Sequence, residues 1–223
     1  MTEQTRQTLD NAYEVFENYE TPRDFVYAHG IPHWPRNLTV ADLWQLDDDN
    51  DLAVRLYEKE VLLHLLPRWL ELLSEDETRS GVNFWNHLRL WTLKDQLNRA
   101  NWQQWPAPEV AALRAVFLAW TREDVESYGG EPPLEFLTEV GEDLAPHLEL
   151  WLDANPIHLA QWLWKVNWND SPSALRWAVS SRLESELEAA FFAAPDGPNA
   201  ELFSRSVELV RSLRAVETAI YRV

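Results

Sequence analysis

The sequence predicts an all-α protein of nine to eleven helices, a multi-helix bundle or an array of helical hairpins. Three observations carry that expectation. Apolar residues recur at three- and four-residue spacing through most of the 223 residues, as they do in helices with a core-facing stripe. Glycine is scarce, with six residues, so few turns are forced by a left-handed backbone. Several of the 13 prolines stand where a helical pattern begins, which favours helices joined by short, stiff connections.

In the first half, Leu9, Tyr13, Phe16 and Tyr19 make one face of an amphipathic helix over residues 5–19. Thr21, Pro22 and Asp24 then form a capping arrangement for a short helix that Gly30 closes. HGIPHWPRN reads as an ordered loop with Trp34 against the core, and Thr39 opens another short helix through Leu46. After the acidic run Asp47 to Asp51 comes a helix with two apolar stripes, expected to kink or break after Leu66 because Pro67 removes a backbone donor, with RWLELL continuing as the next segment. Residues 83–98 form the next helix. From Pro108, the stripe Val110, Leu113, Phe117 and Trp120 reads as a peripheral helix.

In the second half, Asn155 to Trp168 is apolar on nearly every side and is expected to be a central helix. Leu159, Trp162, Leu163 and Val166 share one face, and Ile157, Ala160, Trp164 and Trp168 a second. The three tryptophans are expected in the core. Should the chain reserve an aromatic patch for a partner, its residues are Trp164 and Trp168 beside the polar stripe of His158, Gln161 and Lys165. Leu175, Val179, Leu183 and Leu187 predict one following helix, and Leu202, Leu209, Leu213, Val216 and Ile220 the last. TREDVESYGGEPP holds the Gly-Gly and Pro-Pro pairs. It divides an N-terminal half, residues 1–122, by a linker, 123–133, from a C-terminal half, 134–223, packed against the first.

Phe16, Tyr19, Pro22 and Phe25, the segment LLPRWLELL around Pro67, and PEVAALRAVFL from Pro108 to Leu118 occur in that order over roughly residues 12–120. In these motifs the N-terminal half resembles a family of uncharacterised helical bacterial proteins, although the cysteines usual in that family after Phe25 are absent. The resemblance implies a small helical domain with no known activity and transfers no catalytic or binding residue.

Composition narrows function. Lys and Arg total 19 against 37 Asp and Glu, a formal charge of −18, shared as −9 before and −9 after residue 125. Such a field repels nucleic-acid backbones and anionic membranes, and attracts basic proteins. It also opposes self-association, so a monomer or weak dimer is expected. The absence of cysteine excludes disulfides, thiolate nucleophiles and Cys-ligated zinc, and suits a cytoplasmic protein. No apolar run has the length of a signal peptide or a membrane span.

Asp47, Asp49, Asp51 and Glu58 fall at EF-hand positions 1, 3, 5 and 12, but Leu52 replaces the glycine that makes the turn, so these carboxylates are read as helix-capping rather than metal-binding. His29 and His33 are four apart in a proline-broken loop and make no paired ligand face. No phosphate loop, nucleophile elbow or cofactor motif occurs. The sequence therefore favours a non-enzymatic module that binds a basic protein, as immunity or antitoxin proteins do, with no cofactor. The alternative is a hydrolase or small-molecule-binding enzyme with a histidine and carboxylates in a Trp-lined pocket.

Overall fold

A computed structural model describes residues 1–19, 59–75, 84–127, 131–180 and 182–220. Asp47, Asp49, Asp51, Glu58, His29, His33, Trp34 and the short helices expected after Thr21 and Thr39 lie outside the described residues. Within them the protein is all-α, with no strand and ten α-helices: α1 (Glu3–Phe16), α2 (Lys59–Glu75), α3 (Phe84–Arg99), α4 (Ala107–Ser127), α5 (Leu134–Glu139), α6 (Ala145–Ala154), α7 (Pro156–Trp162), α8 (Pro172–Ser180), α9 (Leu183–Ala193) and α10 (Ala200–Ile220). A 3-10 turn, Trp102–Gln104, stands between α3 and α4. The chain divides into Met1–Trp120 and Thr121–Val223. That division falls inside α4, so the expected linker 123–133 begins as helix.

In the first unit Thr2 caps α1, its hydroxyl accepting the Thr5 N–H at 3.2 Å, and α1 buries Leu9, Ala12 and Phe16 while packing on α2. Of the kink or break expected after Leu66, the break does not occur: α2 runs from Lys59 to Glu75 through Pro67. A proline inside a helix costs about 3 kcal/mol. Leu70, Leu72 and Leu73 beyond it are all buried, each worth about 1.5–3 kcal/mol, so continuing the helix outweighs that loss. Ser74 near its end donates to the Leu70 carbonyl at 2.7 Å and accepts from the Trp120 indole at 2.7 Å.

The helix from Pro108 is not peripheral. Its buried residues, Glu109, Ala112, Leu113, Val116, Phe117, Trp120, Thr121, Glu123, Asp124 and Val125, include polar groups that a single apolar stripe does not reveal. In the first unit Phe117 meets Trp102 edge-on at 5.9 Å and Trp120 at 5.7 Å.

In the second unit, α5 ends in a Schellman turn. Gly141, at φ 73°, takes the left-handed position, while its N–H bonds Thr138 and the Glu142 N–H reaches the Leu137 carbonyl at 2.9 Å. Asn155 caps α7 as expected, accepting the His158 N–H at 3.2 Å. That helix is shorter than expected, stopping at Trp162 rather than Trp168. Beyond it Asn167 and Asp170 form a turn of their own, with Asn167 Nδ2 on Asp170 Oδ2 at 2.6 Å and the Asp170 N–H on the Asn167 carbonyl at 3.1 Å. Asn and Asp side chains offer the backbone such an alternative to the helix.

The single helix expected over Leu175 to Leu187 is two, α8 and α9. Arg214 of α10 donates from Nε to the Val179 carbonyl at 3.0 Å, and binds Glu184 at 2.5 Å, pinning both sides of the break. Val179, Leu183 and Leu187 are still buried, so the spacing reported burial but not continuity. α10 packs on α7, α8 and α9 with Ala200, Phe203, Ser206, Val207 and Val210. The residues whose spacing predicts this helix are not its most buried ones: Leu202, Leu209 and Leu213 are half-buried and Val216 is 58% exposed.

Candidate functional site

The tryptophans of the second unit separate into two groups. Trp162 is buried, 5.8 Å from the Trp151 ring, and half-buried Trp168 meets it edge-on at 6.2 Å. Trp164 is not core: it is 44% exposed, because the chain leaves the helix at Trp162 and turns its indole toward α10. There its Nε1 donates to Ser206 Oγ at 3.1 Å, and the Arg205 guanidinium lies 4.8 Å from the ring centroid. That arrangement fixes an aromatic face at the surface by a hydrogen bond at one edge and a cation–π contact across the ring.

Around Trp164 the structure gathers Gln161 and Lys165, both exposed, with Lys165 Nζ 3.8 Å from Glu131. His158 takes no part in that grouping. It is exposed, and its Nδ1 lies 2.9 Å from the side-chain amide of Asn155, which also caps its helix. Trp168 likewise belongs to the Trp162 packing. Arg205, Ser206 and Glu131 were not indicated by the sequence, since they come from segments some 30 to 45 residues away from Trp164 and share no local spacing with it.

Several cations of this unit are held in ion pairs. Arg182 binds Glu149 at 3.3 Å, Glu186 at 2.8 Å, and Asp153, and these carboxylates hold its pKa above the usual arginine value, Asp153 most of all. Arg211 binds Glu184 at 2.6 Å and also Glu188, while Arg214 shares Glu184. The Arg211 contact is the main reason the Glu184 carboxyl lies below its usual range. From residue 121 onward, 18 acidic side chains face 8 basic ones, a net of −10, and pairing leaves the excess negative.

Two buried histidines bear on catalysis. His64 donates from Nδ1 to the Tyr19 carbonyl at 2.6 Å; since a carbonyl only accepts, the neutral ring carries its proton there and leaves Nε2 as a bare lone pair. Burial lowers its pKa, with the Tyr19 carbonyl opposing. The Tyr19 hydroxyl donates to Glu109, a bond that, with burial, pushes the phenol up to about 12. The other Glu109 oxygen is buried and unbonded. In the second unit, His147 lies 2.7 Å from the Thr121 hydroxyl, and burial lowers its pKa to about 4 against the pull of Asp143. His64 and His147 are thus neutral residues tied to their surroundings. Among the described residues no three His, Asp or Glu side chains are placed to hold a metal.

The fold and this surface define an all-α, tryptophan-rich protein in which no described helix is long and apolar enough to cross a membrane. Comparison with known proteins finds no matching family model, no similar curated protein and no similar solved structure.

Proposed function

We propose that the protein is a non-enzymatic, cytoplasmic binding module that engages a basic protein through its second unit. The observation that carries this reading is Trp164, 44% exposed and held in place by Ser206 and Arg205, while Trp151, Trp162 and Trp177 of the same unit are buried. Fixing a large aromatic at the surface supplies the rigid anchor that binding hot spots use. The net negative charge of the unit as a whole draws a cationic partner in quickly, and neutralisation of a nuclease by an immunity or antitoxin protein is the type of task that suits it.

The test is quantitative affinity capture with the whole protein immobilised as wild type and as Trp164→Ala. A protein of high isoelectric point, retained by the wild type, released by moderate salt and retained at least about tenfold less by the variant, supports the reading. Captured species that are neutral or acidic, or that bind both forms equally, overturn it.

A further inference from the structure

We infer that the C-terminal half of α10 is an electrostatic latch, closed by two arginines on the acidic side of α9 and opened by ionic strength while the first half of the helix stays seated. Burial divides α10 in two. Ala200, Phe203, Ser206, Val207 and Val210 are buried, whereas from Arg211 to Glu217 no residue is: Leu213, Arg214 and Glu217 are half-buried and Val216 is 58% exposed. Apolar burial therefore seats the helix as far as Val210 and supplies little beyond it.

What holds the second half is polar. Glu184 and Glu188 stand four residues apart on α9, neighbours on one helical face, where two carboxylates repel each other. Arg211 answers both, with Nε 2.6 Å from Glu184 and Nη2 on Glu188. Arg214, three residues further along α10, takes the second oxygen of Glu184 and donates from Nε to the Val179 carbonyl at 3.0 Å. Val179 is the penultimate residue of α8, and a helix leaves its last carbonyls without partners of its own, so this arginine caps α8 as it closes on α9. An isolated surface ion pair contributes little, but here two arginines and two carboxylates form one network. Its opening would free the Val179 carbonyl and the Glu184–Glu188 face without unseating Phe203 or Val207.

Salt acts on this network and on the rest of the chain in opposite directions. It screens the exposed pairs, Arg211 being 55% and Glu188 38% exposed, and so loosens the latch. It also screens the self-repulsion of a chain of net charge −18, which favours the compact state elsewhere.

The test is hydrogen exchange of the whole protein, read by mass spectrometry at about 0.1 M and about 1 M sodium chloride, between which the Debye length falls from about 10 Å to about 3 Å. Peptides from residues 211–220 are expected to exchange at least about threefold faster at the higher salt, and those from residues 200–210 no faster. Arg214→Met, which keeps an unbranched apolar stem without the charge or the donors, should bring the fast exchange to low salt and remove most of the salt response. Glu184→Gln should do the same from the α9 side. Exchange of residues 211–220 that ignores salt overturns the latch, since an end that frays regardless of charge behaves so. Exchange that changes in step with residues 200–210 also overturns it, as does protection in both variants equal to that of the wild type.

Discussion

Acid should destabilise this protein through His147 before its carboxylates titrate. The imidazole is fully buried beside Thr121, and burial brings its pKa from 6.5 down to about 4. Between those values the unfolded chain binds a proton that the folded chain refuses, so stability falls as pH drops through that window. Above 6.5 the contribution is complete, and below about 4 both states are protonated and nothing more is lost. At 1.36 kcal/mol per pH unit the window removes about 3 kcal/mol, a large part of a typical domain's stability. Urea unfolding between about pH 7.5 and pH 4.5 measures this directly. His147→Asn, which keeps a polar group near the Nδ1 position, should flatten the dependence by up to about 1.4 kcal/mol per pH unit, leaving the slope that buried His64 contributes in the same direction. Identical slopes for wild type and variant would refute the reasoning, whatever their absolute stabilities.

Trp162→Ala should cost about 3 to 5 kcal/mol, as truncation of a buried aromatic does, whereas Trp164→Ala should cost under about 1 kcal/mol; denaturant midpoints that fail to separate the two contradict the placement of these rings. Tyr19→Phe removes the donor to Glu109 and leaves a buried carboxylate with neither oxygen bonded, for an expected loss of about 2 kcal/mol by urea titration. Ser74→Ala strands the Trp120 indole N–H and should lower the thermal midpoint through a loss of about 1–3 kcal/mol; an unchanged melt would mean that the indole finds another acceptor.

Helicity was readable because burial on one side imposes a 3.6-residue period on any amphipathic helix. The Asn155 cap was readable because capping is settled within three residues. What failed were decisions between two local alternatives. Leu163, Val166 and Trp168 keep the helical period past Trp162, yet the Asn167 and Asp170 side chains supply a turn that helical spacing does not register. On α10 two apolar stripes lie side by side, and a wheel cannot rank them without knowing where α7, α8 and α9 stand. The stripe around Phe203 and Val207 was the one covered. The break between α8 and α9 is flanked on both sides by contacts from Arg214, some 30 residues on, which no local spacing shows. For Trp164 the expected core position failed; only the alternative reading set it at the surface beside Gln161 and Lys165, and neither reading indicated Arg205 or Ser206, whose part is a matter of tertiary approach alone.

The position of α10 has a consequence for how the second unit is made. Three helices, α7, α8 and α9, place apolar residues against a segment that leaves the ribosome after all of them. At synthesis rates of about 5–20 residues per second, those faces spend one to several seconds without their cover while Ala200 to Ile220 is being added. A nascent chain stalled before Phe203 would present the sides of α7, α8 and α9 that α10 covers to any other sticky surface nearby. Products truncated in that interval should therefore be insoluble or held by chaperones, while chains that complete the helix bury the exposed faces at once.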